Sequence, residues 1–516
     1  MNLTSTLTQP RNARWLALGL FLLTILTRLP FASQYLYHWD SVNMAFGILD
    51  FNVPAGAPQY PGYIVYIVLA QLVNALFNDP QRTMVFISIL ASGLSVVTLF
   101  YLGRALFNPL TGLLAAVFLL ASPLFWFYSE IALPHTLDMF TVILAAYLLY
   151  RIMVGQTRWL WLTVVYLALV GGFRQQTLMF LAPLLLFTCY RLGLVKIVLA
   201  CVLGAVTMVA WFLPLMVYSN GIQAYLAGSN AYSASFFNTT SLLAGAGLFG
   251  LRRNLIKLVS YTLYGGALAL IPLLYWLPWL RQPRAWLTNR KFWFLTLWLA
   301  PALAFYVVIH MGQQGLVFVF LPALLLASAE ALNRLLGARP ALLWGSTAAA
   351  VVLGTGIFVL APTYPLGETG PKLLTYSTLR ESDSRLHDQI TTVRANFKPQ
   401  NSLLLAANWR HIEYYLPEYQ FARFDIGAKY EVDEGQASGA DYVNQPITGE
   451  QLGLTAEDGW EVVVMDADLL AFSANPLEQI TAANGFQLAY LPLQANEAYW
   501  TDGQTFGLCA NEQASK

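Results

Sequence analysis

Up to Leu360 the chain alternates long apolar runs with short polar breaks, and most runs are too long and too evenly apolar for strands or one-sided helices. About 20 apolar residues suffice to cross a bilayer as a helix. The first run follows Arg11 and Arg14 and ends near Pro30; because many more follow, it reads as an uncleaved signal anchor. Basic residues collect on the cytoplasmic side of a membrane. With the N terminus placed there, further helices are expected to start near Thr83, Leu110, His135, Trp159, Thr177, Lys196, Ser260, Lys291, Gly315 and Ala341, about eleven spans in all. The apolar run from Pro61 to Phe77 is left out of that count, since a full span there would invert every later loop; it is expected to lie in, or dip into, the outer leaflet. This frame puts 13 basic residues on the cytoplasmic side against six outside.

Beyond Ala361 the pattern changes to short alternating segments with polar helical stretches. A helix around Tyr376 to Phe397, strand SLLLAA, helix HIEYYLPEY, strand QFARFDI, strand EVVVMDADLL, helix PLEQITAANG and strand FQLAYLPL describe a small α/β domain, with Asn484-Gly485 as the stop of its last helix and EVDEGQASGADYVNQPITGE as an acidic loop. The expected architecture is an α-helical polytopic membrane protein with outer-face surface helices over residues 1–361 and an extracytoplasmic α/β domain over 362–516, in the plasma membrane with a cytoplasmic N terminus.

Composition agrees. The 516 residues are 57% hydrophobic and 11% charged, against about 25% charged in soluble domains. The near-neutral total hides an asymmetry: 19 basic and 6 acidic residues up to Ala361, then 9 and 21. The three cysteines carry no disulfide framework, and Cys189 and Cys201 sit in apolar runs as small hydrophobes. No P-loop, dinucleotide-binding glycine pattern, His/Cys zinc spacing or serine elbow occurs.

The six acids before Ala361 carry the main signal. Asp40, Asp50, Asp79, Glu130 and Asp138 all fall on the outer face, and Glu330 alone on the inner side. Carboxylates converging at a membrane surface suit general acid/base work or metal ligation. Asp50 and Asp79 sit in turn-like contexts, LDFNVP and NDPQR, and read as ordinary loop acids. Asp40 stands among aromatics in YLYHWDSVNMAFGILDF, as a base or as an N-cap for the following helix. Glu130, His135 and Asp138 in SEIALPHTLD, split by helix-breaking Pro134, either line a pocket or cap two helices. Arg174 with Gln175 and Gln176, and His310 with Gln313 and Gln314, bring donors to outer helix ends. Arg174 suits an anionic headgroup or snorkels to the interface, and LRRNLIKL, with Arg252, is a basic amphipathic piece suited to lipid phosphate.

One span, then an outer loop with Trp39-Asp40, then Pro61-Gly62 opening a surface helix, then SEIALPHTLD, HMGQQG before FLPALLL, and YYLPEY in the tail: this series resembles the polytopic GT-C glycosyltransferases, in particular protein O-mannosyltransferases and the aminoarabinose transferases of lipid A. The resemblance implies transfer of a sugar from a polyprenyl-phosphate donor to a lipid, glycan or protein acceptor on the outer face, inverting the anomeric centre in one displacement. Asp40 would be the base, and Glu130 or Asp138 a second acid positioning acceptor or metal. Arg174 would clamp the donor phosphate. Relatives often carry a basic residue before a Pro-Pro pair where this chain has QYPGY, so Arg28, Arg82, Arg174 or Arg252, with His310 nearby, would supply that contact. His38, Trp39, Tyr60, His135, Gln313 and Gln314 are the remaining candidates for touching substrate. No Asp-x-Asp pair occupies the second outer loop, and Asp466 and Asp468 read as a strand end in the tail. The metal ligands are therefore unknown; a divalent cation, Mg or Mn, is the one cofactor the resemblance admits. A secondary transporter would show internal repeats and midplane charges instead; a non-catalytic membrane subunit of an envelope glycan assembly system is the other alternative.

Overall fold

The computed structural model describes residues 9–365, 372–424, 460–482, 484–494, 497–501 and 505–510. The acidic stretch from Glu431 to Glu450 lies outside the described residues. The chain divides into two compact units, Met1–Arg380 and Glu381–Lys516.

The first unit is helical, and local chemistry sets many of its helix starts. Asp79, Asn108 and Ser122 each accept a hydrogen bond from the backbone N–H three residues on, and each precedes a proline at the first helical position. A side-chain cap followed by a residue with preset φ and no N–H to satisfy is a strong start signal. The ring of Pro123 also follows a break at Ala121, where Pro109–Leu120 and Pro123–Ser129 meet at a 64° bend. Gly103 and Gly112 let Pro80–Leu106 and Pro109–Leu120 approach backbone to backbone: a Cβ on Gly103 would come within 2.6 Å of the Gly112 Cα, the close approach that small residues permit between membrane helices.

Among the described residues, seven helices are long and apolar enough to cross a membrane: Pro10–Phe31, Pro80–Leu106, His135–Met153, Leu194–Tyr218, Gly247–Leu280, Arg290–Val308 and Pro340–Leu360. The bent pair makes eight. The expected eleven is not reached, because the stretches near Trp159, Thr177 and Gly315 form helices of 14, 15 and 16 residues, Leu160–Phe173, Gln175–Cys189 and Leu321–Leu336. Their lengths, roughly 21 to 24 Å at 1.5 Å per residue, fall short of a core of about 30 Å. The backbone breaks the first two apart at Arg174, which is extended, and Gln314–Val319 ahead of the third is a 3-10 helix. The helix expected from Ser260 begins earlier, at Gly247, and so includes Arg252, Arg253 and Lys257. Pro80–Leu106 and His135–Met153 are the central helices, 67% and 72% buried, whereas Leu194–Tyr218 is 11% buried and turns Val195, Val202, Val206 and Leu213 outward, as a lipid-facing helix would.

After Ala361 the chain stays with this unit. Tyr364–Pro365 pairs with Lys372–Leu373, and the Tyr264 hydroxyl donates to the Leu374 carbonyl at 2.7 Å.

The second unit is built on a five-stranded sheet in the order Gln420–Arg423, Ser402–Ala406, Glu461–Val464, Gln487–Pro492, Glu478–Thr481. The first three strands are parallel and the last two antiparallel. Leu403, Leu405, Val462, Val464 and Leu491 form its apolar centre. Asp466 follows the third of these strands and accepts from the backbone N–H groups of Ala407 and Asn408 at 2.7 and 3.0 Å, tying two strand ends together. The expected helix PLEQITAANG is instead the edge strand Glu478–Thr481. Asn484-Gly485 turns a hairpin rather than ending a helix, with Gly485 at φ 85° and the Glu478 carboxylate accepting from the Tyr490 hydroxyl opposite at 2.7 Å. Cross-strand pairing overrode helix propensity here. A further hairpin, Glu497–Thr501 with Phe506–Ala510, was not apparent in the apolar pattern.

Candidate functional site

Asp40 lies in the first turn of the helix Trp39–Leu49, but it does not cap it. The cap is His38, whose Nδ1 accepts from the Asp40 backbone N–H at 3.0 Å. That leaves the Asp40 carboxylate for other work. Its Oδ2 accepts from Nε2 of Gln313 at 2.5 Å, and Oε1 of Gln313 stands 2.7 Å from Nε2 of His135. Oδ1 makes no hydrogen bond among the described residues, and the side chain is 24% exposed.

His135 opens a helix, and one turn on is Asp138. Residues three apart share a helix face. Asp138 is buried with both oxygens occupied: Oδ2 accepts from Nη1 of Arg174 at 2.9 Å and Oδ1 from the Thr177 hydroxyl at 2.8 Å. This carboxylate is committed to holding Arg174, which Asp138 needs as a counter-charge in a buried place. Nε and Nη2 of Arg174 make no hydrogen bond among the described residues.

Tyr63 lies within electrostatic reach of Asp40, Asp138 and Arg174. Burial pushes its phenol up to about 12, against the pull of Arg174. Its position follows from Pro61-Gly62. Gly62 has φ 97°, and a Cβ there would stand 2.7 Å from Leu215 and 3.1 Å from Val53, so only glycine fits. Tyr63 itself is left-handed at φ 43°, a conformation rare enough outside glycine to point to function. Tyr232 lies within electrostatic reach of Asp40 and Tyr63, and Tyr306 of Arg174 and Asp138. From sequence, Tyr63 reads with Tyr60 as an outer-loop aromatic, suited to sugar stacking or to an interfacial belt; Thr177, Tyr232 and Tyr306 carry no such signal.

The loop bearing Gln313 is pinned at several points. Nδ1 of His310 meets the Thr240 hydroxyl at 3.0 Å, the Met311 N–H donates to Oδ1 of Asn254 at 3.0 Å, and Nε2 of Gln314 donates to the Lys372 carbonyl at 2.7 Å. Burial, with Arg253 and Lys257 nearby, lowers the His310 imidazole to about 4, so it is neutral at pH 7. Positive charge at this end of the helix Gly247–Gly266 is thus carried by Arg253 and Lys257, while Arg252 is exposed.

The other expected residues stand apart from this group. Glu130 and Arg28 are both fully buried and face each other electrostatically. Arg28 donates from Nη2 to the Leu120 carbonyl at 2.6 Å and lies 4.1 Å over the Trp126 ring. No hydrogen bond or ion pair joins Glu130 to Asp40, Asp138 or Gln313 among the described residues. The side chains of Arg28 and Glu130 are both shut off from solvent, so Arg28 is not open to a phosphate, and neither Glu130 carboxylate oxygen makes a hydrogen bond among the described residues. Trp39 is half-buried beside Asp40. Tyr60 packs tilted against Tyr225 at 5.7 Å, with its hydroxyl against Gly228, and Asp79 caps a helix and pairs with Arg82 at 3.3 Å. Among the described residues no group of three His, Cys, Asp or Glu is placed to hold a metal ion. Glu330, bonded to Thr111 at 2.7 Å and Arg334 at 2.7 Å, belongs to a polar knot of its own.

Residues 61–218 match the family described as dolichyl-phosphate-mannose-protein mannosyltransferase. No curated protein matches the sequence significantly. Among solved structures, ArnT from Cupriavidus metallidurans bound to undecaprenyl phosphate is similar at 12% identity, covering 94% of this chain and 98% of that one, with a TM-score of 0.58. Its apo state gives 13% identity, 92% and 97% coverage and a TM-score of 0.57. The apo oligosaccharyltransferase of Archaeoglobus fulgidus is more loosely similar, at 12% identity over 78% of this chain and 64% of that one, with a TM-score of 0.48. The chain thus has an ArnT-like GT-C fold and resembles the O-mannosyltransferase family over the segment that carries Tyr63, Asp138 and Arg174.

Proposed function

We propose that this protein is a membrane glycosyltransferase that moves a sugar from a polyprenyl-phosphate-linked donor to a hydroxyl acceptor at the outer face of the plasma membrane, with the N terminus cytoplasmic. The observation that carries the reading is a carboxylate held through one oxygen and without a hydrogen bond at the other, Asp40, and an arginine with two unengaged nitrogens, Arg174, both within electrostatic reach of Tyr63. ArnT, which has this fold, was crystallised with undecaprenyl phosphate.

Chemically, the acceptor hydroxyl would bring its oxygen to the anomeric carbon while its proton passes to Oδ1 of Asp40, as general-base catalysis requires. The new C–O bond forms as the bond from that carbon to the phosphate oxygen breaks, and both electrons leave with polyprenyl phosphate. Negative charge grows on the leaving phosphate, where a guanidinium already fixed by Asp138 needs no reorganisation. Arg253 and Lys257 offer a second positive site on the His310 side. Attack opposite the leaving group inverts the anomeric centre. Asp138 serves by orienting Arg174.

The test is incubation of the purified full chain with synthetic polyprenyl-phosphate sugars and acceptor-containing membranes, following release of free polyprenyl phosphate by mass spectrometry. Release above that from heat-treated protein supports the reading. None with any donor across hexose and pentose classes sinks it.

A further inference from the structure

We infer that Gln313 is a positioning residue for Asp40, fixed in turn by His135, so that three side chains from distant parts of the sequence act as one relay. The inference rests on the reading of Asp40 as the base. An ionised carboxylate can only accept hydrogen bonds, so the Gln313 side chain must turn its nitrogen to Asp40, at 2.5 Å. Its oxygen then faces His135, at 2.7 Å, and Nε2 of His135 must carry a proton to donate to it. The amide orientation and the imidazole tautomer are therefore set by the chemistry of the chain of contacts.

Each member of the relay is held. His135 is buried, its ring lying so close on Gly315 that a Cβ there would come within 2.6 Å of Cγ, with the Tyr128 ring edge-on at 5.0 Å. Gln313 sits between Met311, tied to Asn254, and Gln314, tied to the Lys372 carbonyl. Asp40 is fixed at its backbone by His38. The result is a carboxylate with one oxygen locked and the other without a hydrogen bond among the described residues, in a side chain that is partly exposed. A base displaced by about 1 Å can lose on the order of 100-fold in rate, and Gln313 is the side chain that prevents this displacement. Its effect should appear in kcat rather than in KM, because its amide nitrogen and oxygen are both engaged within the protein.

The experiment uses the full chain with a polyprenyl-phosphate sugar that the wild type turns over, and the variants Q313A, Q313E, H135L, Q313A/H135L and D40N. Q313E keeps the size of the side chain and replaces the donor facing Asp40 with an acceptor. The expected result is a kcat lower by about 30- to 100-fold in Q313A and Q313E, KM within about threefold of wild type, and a smaller loss in H135L. The double variant should match Q313A alone, since His135 acts only through Gln313, whereas independent roles would multiply. A merely structural role would lower folded yield without that non-additivity. Wild-type kcat in Q313E, or multiplying losses in the double variant, overturns the relay. If D40N is inactive while Q313E is normal, Asp40 remains the base and the relay alone is wrong; if D40N is active, the base reading falls and takes the relay with it.

Discussion

Arg174 donates from Nη1 to Oδ2 of Asp138 across 2.9 Å, at a break between two short helices where its own backbone is extended. The side chains are 12% and 2% exposed, so neither charge can turn to water if the other is removed. Losing one partner of such a pair costs roughly 3–5 kcal/mol. Asp138→Asn is therefore expected to lower the thermal midpoint of the detergent-purified protein and to reduce donor turnover at least about tenfold. R174K, which keeps the charge and loses the planar fork, should also lower turnover. Unchanged stability and turnover in D138N would remove Asp138 from the account.

Tyr60 reaches the helix Ile222–Thr240 through a space that exists only because residue 228 is glycine. Gly228→Ala should push the loop before Tyr63 outward and reduce turnover, and adding Tyr60→Ala should recover much of the loss by removing the collision. Donor turnover in the single and double variants decides; equal losses in both would mean that the loop position does not matter.

Gly62→Ala meets two obstacles, a positive φ and a Cβ against Leu215 and Val53. The strain is on the order of 1–3 kcal/mol, and its relief should displace Tyr63 relative to Asp40 and Arg174. Stability and turnover should fall together, and Tyr63→Phe, which leaves the backbone alone, should reduce turnover with little change in stability.

His310 gives a pH dependence with a definite sign. Its imidazole is held at about 4, below the ordinary 6.5, by burial and by Arg253 and Lys257, so between those values the unfolded chain binds a proton that the folded chain does not. The stabilisation is whole above pH 6.5 and is lost as pH falls toward 4. In denaturation measured from pH 7.5 to 4.5, H310Q should decline less steeply than the wild type; parallel curves would contradict this.

Much of the helical unit was legible because its signals are local. Apolar length located most of the long helices, and the pairs Asp79-Pro80, Asn108-Pro109 and Ser122-Pro123 mark where three helices begin. The break at Arg174 was legible too, but the shortness of Leu160–Phe173 and Gln175–Cys189 was not, since their apolar composition does not mark where each helix stops. In the tail, Glu478–Thr481 carries helix-favouring residues, and its pairing partner, Gln487–Pro492, decides its state. At the site, Asp40, His135, Asp138, Arg174 and Gln313 could each be picked out as polar groups at helix ends. That Gln313 meets Asp40 could not, because 273 residues separate them, and no spacing rule reaches that far. Tyr63 looked like one more interfacial aromatic until the backbone at Gly62 turned it inward.

The central claim is that Asp40 removes the acceptor proton. Its most direct test is the rate of polyprenyl phosphate release by Asp40→Asn under saturating donor and acceptor, alongside donor affinity and thermal midpoint. Loss of the base should lower release by about 100-fold or more while donor affinity and midpoint stay near wild type. Release within about twofold of wild type, in a range far below what a general base supplies, would contradict it.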